Sequence, residues 1–445
     1  MYKRKIEIIL QQWKDTKGHK PLVIRGCRQC GKTSSVIDFA KRNYKHVIYL
    51  DFHEHIEYKA FFRGALDTDT LTMTISAGIK GAKFVDGETC LIFDEIQECP
   101  SARSSLKFFR QDGRYDVICT GSLLGVNGYK SKEERLEEER ASVPVGSEQI
   151  VKMYPMDFEE WLWANGIQQD HIDYLRQCLQ HEEPVVEGIH QRMNQLLLQY
   201  VVVGGMPEVV STFLETNNMN DVLEVQKGII ETYKDDMLKY ALQEDKSHIR
   251  ECFDSIPTQL AKTNKKFQYS IIKKGGRSRE YYGSLKWIED AGIIHRCHNT
   301  TITELPLDGN SMTDVFKVYM TDIGLLVSML EDGTAWSILQ GNLLGYKGAI
   351  FENLVADMLS KMGRKLYYFQ KDGGLELDFL IRYKGECCPL ECKARSGNAK
   401  SLQTVLRHPE HYHVYHAIKL GNYNVGRTGP LLTLPLYMTF LLTER

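Results

Sequence analysis

Gly26-Cys27-Arg28-Gln29-Cys30-Gly31-Lys32-Thr33 fits the pattern G-x-x-x-x-G-K-[ST] at every fixed position. An apolar run, Leu22-Val23-Ile24, feeds this stretch, and an amphipathic segment over residues 34–42 leaves it. Strand, glycine-bounded loop and helix in that order make a cradle for phosphate groups, because successive N–H groups and the helix N-terminus point the same way. Gly26 and Gly31 permit backbone angles and close approaches that a side chain would block. Lys32 supplies a point charge to β- and γ-phosphates, and the Thr33 hydroxyl is a ligand for Mg²⁺. The spacing therefore predicts a Mg·ATP site built from Gly26, Cys27, Arg28, Gln29, Cys30, Gly31, Lys32 and Thr33. Zinc or redox chemistry at Cys27-x-x-Cys30 would need a geometry the loop does not provide, and no second pair matches it.

Working outward, strand-like runs at 21–25, 47–52, 90–93 and 117–119 alternate with amphipathic segments, a pattern that favours a parallel sheet covered by helices. A fifth strand is expected at 151–154, closed by Pro155, with a helix opening at Phe158. Leu91-Ile92-Phe93-Asp94-Glu95 reads as a buried strand ending in two carboxylates, at the sheet edge where open α/β folds bind ligands. Asp94 is expected to orient the Mg²⁺ and Glu95 to polarise the attacking water as general base. Thr120-Gly121-Ser122 ends a further strand, and its polar residues, Ser122 among them, are placed to sense the γ-phosphate.

The bulk numbers agree with an intracellular globular protein. The chain has 445 residues, enough for two or three domains, and a formal charge of −2, so any nucleic-acid surface must be local. Eleven irregularly spaced cysteines point to free thiols in a reducing compartment. The N-terminus reads as an amphipathic helix rather than a signal peptide, and no apolar run reaches the roughly 20 residues of a membrane span. A cytoplasmic protein without a membrane partner is expected. The charge-dense run 131–140 reads as a solvated helix or loop.

Beyond residue 165 the pattern turns mostly helical, broken at Gly204-Gly205-Met206-Pro207. A helix over 348–362 then leads to strand-like segments at 366–369, 375–382, 389–394 and 413–420. Three units are expected, at 1–165, 166–335 and 336–445.

With these residues in hand, the chain resembles the bacterial and archaeal AAA-type ATPases whose C-terminal part is a domain of unknown function, DUF4143. The landmarks are Arg28-Gln29 in the phosphate loop, LIFDEIQ (91–97), TGSLL (120–124), YPMDFEEW (154–161), GGMPE (204–208), FKVYMTDIGLL (316–326) and Phe351-Glu352-Asn353. The resemblance implies an α/β architecture: an AAA-like ATPase module, a helical and winged-helix segment, and a C-terminal domain similar to PD-(D/E)xK nucleases. In one departure, Ser147 follows Gly146 where many relatives carry an arginine. That leaves Arg103, Arg114 and Arg140 as candidate arginine fingers, and leaves open whether turnover needs a neighbouring subunit.

Between residues 262 and 286 lie Lys262, Lys265, Lys266, Lys273, Lys274, Arg277, Arg279 and Lys286, opposed only by Glu280. Tyr281, Leu285 and Ile288 give the following helix one apolar face, and segments 293–297 and 316–320 are expected as wing strands. Such a module can present its second helix to DNA or RNA, or serve only to pack against a protein partner.

Farther on, Glu391 and Lys393 are two apart and share one face of a strand. Asp378 and Glu391 are expected to hold one or two Mg²⁺, with Lys393 stabilising developing charge and Glu352 completing or supporting the metal shell. The same carboxylates would form ion pairs in a purely structural descendant. His411, His413 and His416 read as a strand with alternating exposure, and Trp161 and Trp163 as anchors between units. Cys387 and Cys388 have no partners that would make them metal ligands.

Overall fold

The computed structural model describes residues 2–122, 146–240, 246–262, 265–342, 347–371, 374–393 and 399–443. The run 131–140, Arg140, Leu123 and Leu124 lie outside the described residues. The chain divides into two units: Met1–Pro155 with Asp236–Glu244 and Asp290–Gly292, and Met156–Asp235 with Asp245–Glu289 and Ile293–Arg445.

In the first unit, β1 (Leu22–Gly26), β2 (His46–Asp51), β3 (Thr89–Asp94), β4 (Asp116–Ser122) and β5 (Gln149–Met153) form one sheet in the order β2-β3-β4-β1-β5. Every neighbouring pair is parallel. All six residues of β3 are buried, as a strand covered on both faces requires. Alternate side chains feed two cores. Val23, Leu91, Phe93 and Val117 pack with Leu106 and Phe109 of the helix Pro100–Asp112. Leu22, Ile24, Ile92 and Ile118 pack with Val36 and Phe39 of the helix Lys32–Asn43. The amphipathic N-terminal stretch forms the helix Ile6–Asp15 and adds Ile6, Leu10 and Trp13 to that second core. Because the strands run one way, their C-terminal ends share one edge, where Gly26 stands beside Ser122 and Asp51 beside Asp94.

The second unit joins a helical segment, including Phe158–Ala164, Gln169–His181, Glu187–Val203 and Pro207–Thr216, to a mixed sheet. Its strands are β6 (Ile294–Thr300), β7 (Ser311–Met320), β8 (Leu366–Gln370), β9 (Glu376–Tyr383), β10 (Glu386–Lys393), β11 (Ala417–Gly421), β12 (Gly426–Thr428) and β13 (Leu431–Pro435). They lie in the order β12-β13-β11-β10-β9-β8-β6-β7. The strands expected as a wing do form an antiparallel hairpin, β6 with β7, but it is not free-standing. Parallel pairing of β8 with β6 carries that hairpin into the C-terminal sheet.

Two expectations are corrected. Residues 411–416 are not strand: Pro409 opens a short helix, Pro409–Tyr412, His413 takes a left-handed conformation (φ 51°), and β11 begins only at Ala417. Trp161 is an anchor inside the second unit, with its ring 6.0 Å from that of Tyr200 and 5.7 Å from that of Phe213. Its indole N–H donates to the Leu196 carbonyl.

Candidate functional site

The phosphate-type loop sits between β1 and the helix Lys32–Asn43, with Gln29 and Gly31 both in the left-handed region (φ 62° and 92°). Gly26 admits no side chain, since a Cβ there would stand 2.4 Å from the Met153 carbonyl oxygen. The Lys32 side chain is buried, and its ammonium lies over the loop, donating to the carbonyl oxygens of Cys27 (2.8 Å) and Gly26 (3.2 Å). Arg4 supports the loop from below, donating to the carbonyls of Cys30 (3.1 Å) and Tyr154 (2.8 Å). Sequence reasoning missed Arg4, because nothing distinguishes it from Lys3 and Lys5 beside it. Arg28 pairs with Asp236 of the same unit at 3.0 Å. The Cys30 thiol is brought down to about 6 by a hydrogen bond with Cys27, against burial and with help from Lys32 and Arg4.

The Thr33 hydroxyl donates to Asp94 Oδ1 at 3.0 Å. Two further residues hold that carboxylate: the hydroxyl of Thr120, expected at the γ-phosphate, donates to Oδ1, and the hydroxyl of Tyr49, outside the expected set, donates to Oδ2 at 2.7 Å. The strand order explains both, since β4 and β2 flank β3. Glu95 follows in a left-handed conformation (φ 50°, ψ 50°), an uncommon state for a residue with a side chain and one that concentrates at functional sites. The Gln97 side-chain amide donates to its carboxylate and fixes its direction. The oxygens of Thr33 and Asp94, one hydrogen bond apart, are the donor set that suits Mg²⁺.

Of the candidate arginine fingers, Arg103 is committed to Glu148, with contacts of 2.6 and 3.1 Å. Arg114 precedes the N-terminus of β4, at the opposite sheet edge, and is bound to Asp69 and Asp112.

The four C-terminal candidates gather in the second unit. Glu352 projects from the helix Lys347–Lys361, Asp378 lies on β9, and Glu391 and Lys393 lie on β10. Lys393 meets Glu391 at 2.5 Å, which bears out their shared strand face. Asp378 accepts from the Cys392 N–H at 2.8 Å. Burial raises its carboxyl well above the usual range, and Glu352 and Glu391 push it the same way. Glu391 Oε2 is buried without a hydrogen-bond partner.

That chemistry suits a hard divalent cation. As arranged, however, no three His, Cys, Asp or Glu among the described residues are placed to hold a metal ion. Ammonium groups stand there instead. Lys265 pairs with Glu352, and Lys317, from β7, lies 3.8 Å from Glu352 and 2.6 Å from Glu376. The Tyr319 hydroxyl adds a hydrogen bond to Glu352 at 3.2 Å. Neither Lys265 nor Lys317 belongs to the E-x-K pattern, so sequence spacing could not connect them to it.

Other landmarks build structure. Asn353 brackets β7 by accepting from the Met320 N–H (2.8 Å) and donating to the Met320 carbonyl (3.1 Å). Asp322 accepts from the N–H groups of Gly205 (2.7 Å) and Leu325 (3.0 Å). Lys361, with its side chain 1% exposed, bonds Asp357, the Tyr200 hydroxyl and the Met156 carbonyl at 3.0, 3.0 and 3.2 Å.

The five-stranded parallel sheet, its loop and the Thr33–Asp94–Glu95 edge define the class, a P-loop ATPase-like domain. Family models match an AAA domain over residues 18–162 and a domain of unknown function, DUF4143, over residues 347–437. A second domain of unknown function, DUF8612, matches residues 194–335. The chain therefore carries an AAA-type ATPase domain and a C-terminal DUF4143 domain. Among solved structures it is similar to the Walker-type ATPase PABY2304 of Pyrococcus abyssi, at 15% identity and a TM-score of 0.43, covering 74% of this chain and 96% of that one. It is also similar to AMPPCP-bound DnaA from Aquifex aeolicus, at 10% identity and a TM-score of 0.22, covering 64% and 87%. No curated protein matches. No described helix is long and apolar enough to cross a membrane.

Proposed function

We propose that this chain is a Mg²⁺-dependent ATP-hydrolysing protein whose nucleotide state controls a nucleic-acid-binding, nuclease-like C-terminal half. The parts are an ATPase domain (1–165), a helical and winged-helix segment (166–335) and a PD-(D/E)xK-like domain (336–445), in a cytoplasmic protein. The observation that carries the ATPase reading is the Thr33–Asp94 hydrogen bond beside the buried Lys32.

In this reading the N–H groups of residues 26–33 bind the phosphates and Lys32 neutralises the charge that develops on them. Thr33 and Asp94 would hold Mg²⁺, which would supply charge neutralisation to the phosphates. Glu95 accepts the proton of the attacking water, with Gln97 holding its carboxylate, and Ser122, beside Gly26, stands near the γ-phosphate. ATP turnover by purified protein tests this; a chain that neither binds adenine nucleotides nor hydrolyses ATP overturns it.

Nucleic-acid contact is supported by the helix Ser278–Asp290. It buries Tyr281, Leu285 and Ile288 and leaves Arg279, Tyr282 and Lys286 exposed on the other side. A second reading, an ATP-switched protein-interaction module whose nuclease-like domain cuts nothing, is favoured by the lysines that pair with the carboxylates. Stimulation of ATP turnover by DNA favours the first reading, and indifference favours the second.

A further inference from the structure

The C-terminal cluster sets four carboxylates, Glu352, Glu376, Asp378 and Glu391, against three lysines, Lys265, Lys317 and Lys393. Two of these lysines are fixed by regular structure. Lys317 stands on β7, with its side chain 1% exposed and its ammonium 4.7 Å from the centre of the Tyr368 ring. Lys393 is on β10. Lys265 differs: it comes from the connection between the helices Lys246–Ala261 and Tyr269–Ile272, within the basic stretch 262–286, and its side chain is 15% exposed.

We propose that Lys265 is a removable internal counter-ion that keeps divalent metal out of the Glu352–Asp378–Glu391 cluster. The inference rests on the nuclease-like reading of these residues. Removing Lys265 takes one positive charge out of the cluster and leaves four carboxyl groups with two ammoniums, a balance that favours a divalent cation such as Mg²⁺ or Mn²⁺. The orphaned Oε2 of Glu391 already offers a donor. Geometry supports the same view, since the carboxylates do not stand as a ligand set while Lys265 bonds Glu352. A metal ion and an ammonium so close to one carboxylate repel each other strongly in a buried site, so occupancy by one excludes the other.

The experiment is Mn²⁺ binding to the full chain without nucleotide, followed by electron paramagnetic resonance. Lys265→Met should bind Mn²⁺ at least about tenfold more tightly than wild type, whereas Lys265→Arg, which keeps the charge, should not. Adding Asp378→Asn to Lys265→Met should remove the gain, which separates this site from the phosphate loop. Mn²⁺ should also raise the melting temperature of Lys265→Met more than that of wild type, a readout that works on a destabilised variant. Equal Mn²⁺ affinity in wild type and Lys265→Met overturns the proposal, and so does a gain that survives Asp378→Asn. If Lys265→Met gains the metal and still leaves DNA uncut, the counter-ion role stands and the nuclease reading fails.

Discussion

The Thr33 hydroxyl and the Asp94 carboxylate meet at 3.0 Å, joining the first turn of the helix after the phosphate loop to the end of a buried strand. Their roles separate cleanly from those of their neighbours. Lys32→Ala should lower ATP turnover by about 10²–10³-fold through lost stabilisation of phosphate charge. Glu95→Gln should keep nucleotide binding and lose about 10²–10⁴-fold in turnover, since it removes only the base. Steady-state phosphate release and equilibrium binding of a fluorescent ATP analogue check both; a Lys32→Ala protein with wild-type turnover would sink the ATPase reading.

Gly205 has no room for a methyl group. A Cβ there would stand 1.9 Å from the Met156 carbonyl oxygen, against rigid backbone. Gly205→Ala should therefore cost about 3 kcal/mol or more, measured by urea denaturation against wild type.

Lys361 is surrounded by Asp357, Asp322 and Tyr200 in the interior of the second unit. Lys361→Met strands two buried carboxylates and should cost about 3–5 kcal/mol. Adding Asp357→Leu should recover part of that loss, because the uncompensated charge goes with it. A double variant less stable than Lys361→Met would contradict the ion-pair account.

His19 carries a pH signature. Its hydrogen bond to Asp116 at 2.9 Å outweighs burial and lifts the imidazole above its ordinary value of 6.5. A raised folded-state value means this contribution is complete below the unfolded value and is lost as pH rises through the folded one. His19→Gln should thus lower the melting temperature more at about pH 5.5 than at about pH 8.5. An equal drop at both would remove the charged pair from the explanation.

If the helix Ser278–Asp290 meets a nucleic-acid backbone, Arg279→Glu with Lys286→Glu should weaken duplex binding. The slope of log affinity against log salt should fall by about 2. Fluorescence anisotropy across a salt series measures it, and an unchanged slope places the contact elsewhere.

The phosphate loop, the carboxylate pair after it and the parallel α/β sheet were legible in the sequence. Each is local, carried by a fixed spacing or by alternating burial within one segment, and local patterns need no distant partner to be read. The strands of the β6–β7 hairpin were also found, but not the sheet they belong to, because pairing of β6 with β8 joins residues about seventy apart and leaves no trace in either segment. The same limit hid the bonds of Tyr49 and Thr120 to Asp94, which form only because strand order places β2 and β4 beside β3. The C-terminal site divides along the same line: Glu391 and Lys393 share a face by period alone, whereas Lys265 and Lys317 arrive through tertiary packing. The chain's own order thus determined which chemistry was available. The folded arrangement decided which charges oppose it, since electrostatic partners are chosen by distance in space and not along the backbone.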